Sequence, residues 1–378
     1  MKQDLAKLFC DPGIFYPCGQ PDLAFSDYIV QCKTIIAQTR TDLNTNLAAQ
    51  IIERNAPFEI IPKQACRGGV LLIHGLFDSP FLMRDIGKVL CEQGFLVRAV
   101  LLPGQGTVPG ALLNVRYQDW LQTVSYGVHS LAKEVSDVYL VGFSTGASLA
   151  LYQSLQYKNL IKGVIGLSPA IKIRSAFDFM SHWYRWFLWC SPRAAWLHQD
   201  SQETIDAVKY RSVPFNAIYQ VFLLAKAIQH YRSDIPLFFG LSRDDETVCS
   251  QTAIQFFKSL SNAKNKMLIY APTPEKQMDS RIITKNCYLP DQHILNFSHS
   301  CIPISPDNVY YGRAGEYFYA SKAGTPATLF GNFTPLHQKF YQMLYQMHLT
   351  PVQHARLTYN PDFLQLTKHI IDFINDLT

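Results

Sequence analysis

Short apolar runs alternate with helical segments from Gly69 onward, and this order constrains the fold more than any other feature of the sequence. Nearly continuous apolar runs are typical of parallel strands that are buried on both faces. We predict strands at 70–73, 95–101, 138–141, 164–167, 236–241 and 267–270, and a seventh at 294–297. We predict helices at 80–93, 117–134, 145–155 and 361–377. Strands that alternate with helices imply a mostly parallel sheet with helices on both faces.

Some stretches do not follow this alternation. Apolar residues recur at helical spacing between Asp27 and Arg54, which predicts a helical extension before the sheet begins. An aromatic-rich stretch interrupts the alternation and predicts a cap inserted over the sheet edge, and a further insertion is predicted at about 302–355. We predict an N-terminal extension at 1–65 and a cap at 171–232. The two halves of the core are predicted at 66–170 and 233–378.

Composition excludes several classes of protein. Charged residues make up 17% of the chain, the net charge is +5, and no run of basic residues occurs, so nucleic-acid binding is not expected. Nine cysteines are present without a CxxC spacing, which gives no sign of a zinc ribbon or a thioredoxin-like motif. We therefore predict no cofactor and no metal.

The chain is expected to be soluble and cytoplasmic. No window of eighteen apolar residues occurs, so no transmembrane segment is expected. The apolar stretch at the N-terminus is too short and too broken for the core of a signal peptide. Transient contact with a lipid surface remains open, and the sequence does not indicate an oligomeric state.

The segment Gly142-Phe143-Ser144-Thr145-Gly146 lies directly between a predicted strand and a predicted helix. This is the context of the G-x-S-x-G nucleophile elbow, a sharp turn that strains the serine backbone and lifts its hydroxyl above the sheet. The turn leaves no room for a Cβ at the flanking glycines. Ser144 is therefore the predicted nucleophile.

A serine hydroxyl needs a base, and the base needs an orienting carboxylate. In this context the chain order is serine, acid, histidine. Asp245 follows the predicted strand 236–241 and is favoured over Asp244 and Glu246, because it precedes Val248 and a helix at about 249–260. The alternative for Asp245 is an acidic residue that interacts with the helix dipole.

His299 is the predicted base, because it follows the apolar run 294–297 at a point that fits the chain order. His293 is the rival, but it precedes that run. Four other histidines lie in later helical or loop-like segments: His337, His348, His354 and His369. His74 precedes Ser144 in the chain and is interpreted as a residue that braces a loop.

The backbone N–H groups of Leu76 and Thr145 are the predicted oxyanion donors. Leu76 follows Gly75, which permits a tight turn after the first strand, and Thr145 begins the helix after Ser144. In the predicted reaction, His299 removes the proton of Ser144, Ser144 attacks an ester carbonyl, and water later releases the acid from the acyl-enzyme.

Several motifs together resemble the monoacylglycerol lipase and bacterial carboxylesterase branch of the α/β-hydrolases: HGLFDS at 74–79, LLPGQGT at 101–107, YQDW at 117–120, GFSTG at 142–146 and DDETV at 244–248. The resemblance implies an α/β-hydrolase fold with Ser144, Asp245 and His299 as a triad. It covers about 68–170, 234–272 and the final helix. Gln105 departs from the usual PGHG loop, and the stretch from Met267 to His299 is longer than usual.

The cap carries aromatic residues at a spacing of three, which places Trp183, Trp186 and Trp189 on one face of a helix that ends at Pro192. Such a helix can pack on the core, and it can line an acyl pocket. The two interpretations do not exclude each other. Hydrophobic acyl esters such as monoglycerides or lysophospholipids are the expected substrates. The predicted substrate-binding residues are Phe77, Phe143, Trp183 and Trp186.

Two alternatives remain. A serine peptidase of the prolyl-aminopeptidase type uses the same triad but needs acidic groups to hold a substrate amine, and the cap contains few carboxylates. A binding protein that keeps the fold without catalysis is the second alternative, since a fold alone does not imply a function.

Overall fold

The structure is a computed structural model, and it describes residues 7–17, 22–43, 46–172, 195–200, 205–274, 278–317, 328–330, 343, 347 and 353–377. The helices α1 to α8 are, in chain order, Phe25–Thr39, Ala48–Asn55, Arg84–Glu92, Tyr117–Ala132, Thr145–Gln156, Phe215–Ala227, Ser250–Lys258 and Phe363–Asn375. The strands β1 to β12 are Phe58–Ile60, Gly68–Ile73, Phe95–Val100, Val138–Phe143, Ile161–Leu167, Trp196–His198, Val213–Pro214, Leu237–Ser242, Lys266–Ala271, Ile282–Asn286, Thr328–Phe330 and Gln353–Ala355.

An eight-stranded sheet forms the centre of the fold, with the strand order β1-β3-β2-β4-β5-β8-β9-β10. Every neighbouring pair is parallel except β1 and β3, which run antiparallel at one edge. Because parallel strands all end at the same edge of a sheet, the loops after β2, β4 and β8 meet there. The predicted mostly parallel sheet of an α/β-hydrolase is confirmed.

The core lies on both faces of this sheet. Alternate residues of β2 point to opposite sides, so that Leu71 and Ile73 join one buried cluster and Val70 and Leu72 join the other. The first cluster includes residues of α1, α4, α5, α6 and α7, and the second includes residues of α3 and α8. Burial on both faces explains why the strands read as continuous apolar runs.

Most predicted strands and helices are confirmed within a few residues, but the strand at 294–297 is wrong. Ile294 forms only isolated bridges, to Leu289 and to Phe330, and Phe297 is buried outside the sheet. The sheet instead gains β10, which pairs with β9 and which the sequence analysis missed. A short apolar run that packs under loops has the same pattern as a buried strand, so periodicity alone cannot separate them.

Smaller differences occur near the N-terminus. The apolar pattern between Asp27 and Arg54 forms two helices, α1 and α2, rather than one. The segment predicted as a helix at 80–93 begins with a 3-10 turn, Pro80–Met83, before α3. Within the predicted extension, β1 joins the sheet edge.

The chain leaves the sheet after β5 and returns to it at β8. In the described part of this excursion, β6 pairs with β7, and α6 packs against α4 and α5. The division of the chain into extension, core, cap and insertion stays a prediction. None of the helices in the described ranges combines the length and apolar content needed to cross a bilayer.

Candidate active site

Ser144 lies on the sharp turn between β4 and α5. Its backbone has φ 54° and ψ −116°, and this positive φ is costly for a residue with a Cβ. A Cβ added to Gly142 would lie 2.3 Å from the Gly146 carbonyl oxygen, and one added to Gly146 would lie 2.1 Å from the Ile73 carbonyl oxygen. The predicted strain at the serine and the predicted lack of space at both glycines are therefore present.

A continuous hydrogen-bond chain links Ser144, His299 and Asp245. Ser144 Oγ lies 2.9 Å from His299 Nε2, and His299 Nδ1 lies 2.6 Å from Asp245 Oδ2. The serine, histidine and aspartate are 7%, 5% and 1% exposed, respectively. Buried groups in this order allow a proton to move from the hydroxyl to the imidazole while the carboxylate holds the ring in place.

The loop after β8 fixes the Asp245 carboxylate. Its second oxygen, Oδ1, accepts hydrogen bonds from the Thr247 and Val248 N–H groups at 2.8 and 3.0 Å. Burial alone raises the pKa of Asp245, but the His299 imidazole and the two N–H donors outweigh burial and hold the pKa below its ordinary value. The rival Asp244 is exposed.

The sequence predicted that His299 lies directly after a strand. In the structure it does not. It begins a 3-10 turn, His299–Cys301, in the segment that follows β10. The Ser298 side chain anchors this turn, because its hydroxyl donates to the Leu357 carbonyl at 2.6 Å and accepts from the Cys301 N–H at 3.2 Å. The extra strand β10 accounts for the long stretch between Met267 and His299. His293 is exposed.

The two predicted oxyanion donors lie on adjoining segments. Gly146 lies close to the carbonyls of Ile73 and His74, so the start of α5 packs against the end of β2. The loop that carries Leu76 begins there. Within the described part of the chain, we find no acceptor for the Leu76 or Thr145 N–H. Their role as oxyanion donors stays a prediction.

His74 braces the loop that carries Leu76. Its Nδ1–H donates to the Gly75 carbonyl at 2.8 Å, and its Nε2 accepts from the Leu102 N–H at 3.1 Å. This pattern requires a neutral ring with the proton on Nδ1. Complete burial lowers the pKa of His74 to about 4 and keeps the ring neutral, although the bond to Gly75 acts in the opposite direction.

The four predicted substrate-binding residues fall into two groups. Phe143 is buried with its ring centre 5.0 Å from that of His299, and Phe77 is half-buried with a left-handed backbone, φ 62°. Both phenylalanines therefore belong to the segments that surround Ser144. Trp183 and Trp186 lie outside the described residues, as does the predicted helix that carries them.

A cluster of buried polar groups beside the site was missed by the sequence analysis. Asp78 lies in the loop that carries Leu76, and Lys209, which lies between β6 and β7, approaches it with Nζ 3.5 Å from Oδ1. Asp206, three residues before Lys209, accepts hydrogen bonds from the Tyr311 hydroxyl at 2.8 and 2.9 Å. The motif HGLFDS contains Asp78, but nothing local in the sequence indicates its distant partner.

No three His, Cys, Asp or Glu side chains group as metal ligands would, in the ranges that the structure describes. The absence of a metal and a cofactor stays a prediction.

A protein-family model described as "Serine aminopeptidase, S33" matches residues 64–273. The matched segment contains Ser144 and Asp245, whereas His299 lies beyond its end. The match covers more than half of the 378 residues.

Two curated relatives match about a quarter of the chain. A thermostable monoacylglycerol lipase from Bacillus sp. (strain H-257) is 28% identical over 105 residues, which are 28% of this chain and 42% of the lipase. A carboxylesterase from Bacillus subtilis (strain 168) is 30% identical over 107 residues, which are 28% of this chain and 43% of the esterase. The chain therefore spans less than half the length of these relatives.

Solved structures of lipolytic enzymes align with more of the chain at lower identity. One metagenome-derived lipolytic enzyme has a TM-score of 0.49 and 20% identity, and the alignment covers 56% of this chain and 86% of that one. A soluble variant of monoglyceride lipase from Saccharomyces cerevisiae has a TM-score of 0.48 and 17% identity, and the alignment covers 57% of this chain and 82% of the lipase.

Proposed function

The chain belongs to the α/β-hydrolase family described as serine aminopeptidase, S33, and from that premise we propose that it hydrolyses carboxylic esters through an acyl-enzyme intermediate. Ser144 is the nucleophile, His299 the general base and Asp245 the orienting carboxylate. The observation that carries the proposal is the hydrogen-bond chain of 2.9 and 2.6 Å between these three buried side chains.

The proposed reaction has two halves. His299 Nε2 takes the Ser144 proton while Oγ attacks the ester carbonyl, and the resulting oxyanion accepts hydrogen bonds from the Leu76 and Thr145 N–H groups. The tetrahedral intermediate then expels the alcohol, which takes the proton from His299, and the acyl group stays on Oγ. Water repeats the sequence and releases the carboxylic acid. Asp245 stabilises the imidazolium in both halves.

The proposed substrates are esters with hydrophobic acyl chains, such as monoglycerides or lysophospholipids. Two relatives with names of this kind, a monoacylglycerol lipase and a carboxylesterase, support ester hydrolysis, although each matches only part of its length. Phe143 and Phe77 support an apolar substrate, since both rings belong to the segments around Ser144. We also propose that the protein is cytoplasmic and that the cap lines an acyl pocket.

Aminopeptidase activity is the second candidate, because the family description names a serine aminopeptidase. A peptidase of this kind needs a carboxylate for the substrate amine, and Asp78 and Asp206 are buried near the site. Each of them already has partners within the chain, however: Lys209 for Asp78, and the Tyr311 hydroxyl with two N–H groups for Asp206. This arrangement favours the esterase.

The test compares matched variants on p-nitrophenyl esters of increasing chain length. Ser144→Ala, His299→Ala and Asp245→Asn should each lower kcat by about 10⁴-fold or more. Asp244→Asn and His293→Ala are the controls, because both residues are exposed neighbours of the proposed groups, and they should stay within about threefold of wild type.

Two further measurements separate the alternatives. A fluorophosphonate probe should label the wild type at Ser144 and leave Ser144→Ala unlabelled, whereas a non-catalytic binding protein takes no label. An aminoacyl amide hydrolysed faster than every ester would favour the peptidase. The highest kcat/KM on acetyl esters would rule out the preference for hydrophobic chains.

A further inference from the structure

A buried carboxylate lies against the loop that carries the proposed oxyanion donor. Asp78 is two residues after Leu76 and is 6% exposed. Its Oδ2 atom lies 2.8 Å from the position that a Cβ on Gly75 would take, and the Phe143 ring lies 3.0 Å from the same position. The carboxylate therefore lies beside Gly75, on the same side of the loop as the Phe143 ring.

The cap supplies the cation that balances this carboxylate. Lys209 Nζ lies 3.5 Å from Asp78 Oδ1 and 5.0 Å from the centre of the Tyr311 ring. The lysine side chain is 20% exposed and that of the aspartate 7%. At a position with so little exposure to solvent, the charge of Asp78 acts strongly on its surroundings unless a nearby cation offsets it.

Several hydrogen bonds hold the cap segment in this position. The Lys209 N–H donates to Asp206 Oδ1 at 3.2 Å, and Asp206 is bound in turn by the Tyr311 hydroxyl. The next residue, Tyr210, donates its N–H to the Phe77 carbonyl at 2.9 Å. The backbone next to Lys209 is therefore tied to the same loop that contains Asp78 and Leu76.

We propose that Lys209 is a positioning residue that neutralises Asp78 beside the proposed oxyanion hole, so that the cap contributes to the electrostatics of ester hydrolysis. The inference rests on the proposed function. An oxyanion that forms at the Leu76 N–H would be repelled by an unbalanced carboxylate on the same loop, and the repulsion is greater in the transition state than in the neutral substrate. The lysine removes that repulsion by acting through Asp78.

The charged groups around Asp78 give this proposal a pH signature. Burial raises the pKa of Asp78, Lys209 and His299 oppose the rise, and Asp206 adds to it. Removing the ammonium raises the pKa further, so the carboxyl becomes neutral at a higher pH than in the wild type. The damage caused by losing Lys209 should therefore shrink as the pH falls.

The experiment uses the full chain and four variants: Lys209→Met, Lys209→Arg, Asp78→Asn and the double variant Lys209→Met/Asp78→Asn. Lys285→Met is the matched control, because Lys285 forms an ion pair of 3.0 Å with Asp362 and is similarly buried, at 27% exposure, but lies on β10 away from Ser144. Values of kcat and KM for a p-nitrophenyl ester are measured at several pH values, and thermal unfolding checks the fold of each variant.

Lys209→Met should lower kcat by about tenfold to hundredfold with little change in KM, and its kcat relative to wild type should rise as the pH falls. Lys209→Arg, which keeps the charge, should recover most of the activity. Asp78→Asn should retain kcat within about threefold, and the double variant should match it, because a neutral side chain needs no counter-charge. Lys285→Met should behave as wild type.

The inference is overturned if Lys209→Met keeps the kcat of the wild type, or if the double variant is as slow as Lys209→Met. It is also overturned if the kcat of Lys209→Met relative to wild type does not change with pH, or if Asp78→Asn has less than a tenth of the wild-type kcat. If Lys209→Met does not fold, Asp78→Asn and the double variant decide alone, and a tenfold lower kcat in the double variant rejects the role of Lys209. Failure of the proposed function is a different outcome, since Ser144→Ala would then keep the activity of the wild type.

Discussion

At the scale of single residues, two glycines allow the Ser144 turn to form. The turn brings the backbone of α5 so close to β2 and β4 that a Cβ at position 142 or 146 meets backbone atoms, which cannot rotate away. Gly163 on β5 differs, because a Cβ there meets mainly the end of the Leu377 side chain, at 2.9 Å. We therefore expect a glycine-to-alanine substitution to lower the free energy of unfolding by different amounts at the two kinds of position.

Gly146→Ala should lower the free energy of unfolding by about 1–3 kcal/mol or more, because α5 must move away from the Ile73 carbonyl. The same shift moves Ser144 and the Thr145 N–H, so kcat should fall by about a hundredfold. Urea unfolding and ester hydrolysis measure the two effects. Gly163→Ala is the control and should cost less, with kcat within about twofold of wild type. Equal losses in both variants would contradict the argument.

A second prediction at this scale concerns His74 and acid stability. The pKa of His74 is about 4 in the folded chain against 6.5 for the free side chain, so the unfolded chain binds more protons between these values. Folding stability contributed by the neutral ring is therefore complete above pH 6.5 and is lost as the pH falls toward 4. This loss amounts to about 2 kcal/mol between about pH 7 and pH 5.

His74→Gln tests this prediction, since a side-chain amide offers an NH₂ donor group and a carbonyl acceptor but does not titrate here. The free energy of unfolding is measured by urea titration across this pH range. The variant can be less stable at every pH, but its stability should fall less steeply in acid than that of wild type. Parallel pH profiles would show that His74 is not the group responsible.

At the scale of elements, helix α8 packs beside β8 on one face of the sheet. Its inward side chains are buried, and the Phe373 ring lies 5.8 Å from the Phe238 ring of β8. On the other side of the same helix, Leu364 is 77% exposed. The amphipathic pattern in the sequence predicted this helix, because an apolar face must be covered.

Ile370→Ala should lower the free energy of unfolding by about 2–5 kcal/mol, because Ile370 is 1% exposed and its removal leaves a cavity against the sheet. Leu364→Ala is the control on the same helix and should change it by no more than about 0.5 kcal/mol. Chemical denaturation of both variants gives the comparison. A large loss in Leu364→Ala would mean that this face is covered.

At the scale of the whole molecule, segments outside the family match hold the core together. The Tyr28 hydroxyl of α1 donates to the Leu101 carbonyl and accepts from the Leu101 N–H, both at 3.1 Å. Arg54 of α2 forms an ion pair with Glu316, and Asn55 donates to the Ala207 carbonyl at 2.8 Å. The N-terminal helices therefore contact the loop after β3, the segment between β6 and β7, and the segment that contains Glu316.

Tyr28→Phe should lower the free energy of unfolding by about 1–3 kcal/mol, because it leaves the buried Leu101 peptide without its hydroxyl partner. Tyr288→Phe is the control, since Tyr288 is 44% exposed, and its effect should be within about 0.5 kcal/mol. Unfolding followed by two spectroscopic probes should give one coincident transition. Two separate transitions would mean that the N-terminal helices unfold independently.

Some parts of this protein depend on only a few neighbouring residues, and these parts could be predicted from the sequence. Apolar runs flanked by turn residues predicted the strands, and the glycines around Ser144 predicted the strained turn, because both follow from local backbone geometry. Chain order, together with positions after apolar runs, predicted Asp245 and His299 as partners of Ser144, and the structure places the three side chains within hydrogen-bond distance.

Other features depend on contacts between distant segments, and these could not be predicted from the sequence. The run at 294–297 packs beneath loops instead of joining the sheet. Lys209 reaches Asp78 because the segment between β6 and β7 folds back onto the loop after β2. Neither outcome has a local signal, since burial and charge pairing are set by whichever segments the whole chain brings together. Local patterns therefore specify the turn that carries Ser144, and packing specifies the electrostatic surroundings of that turn.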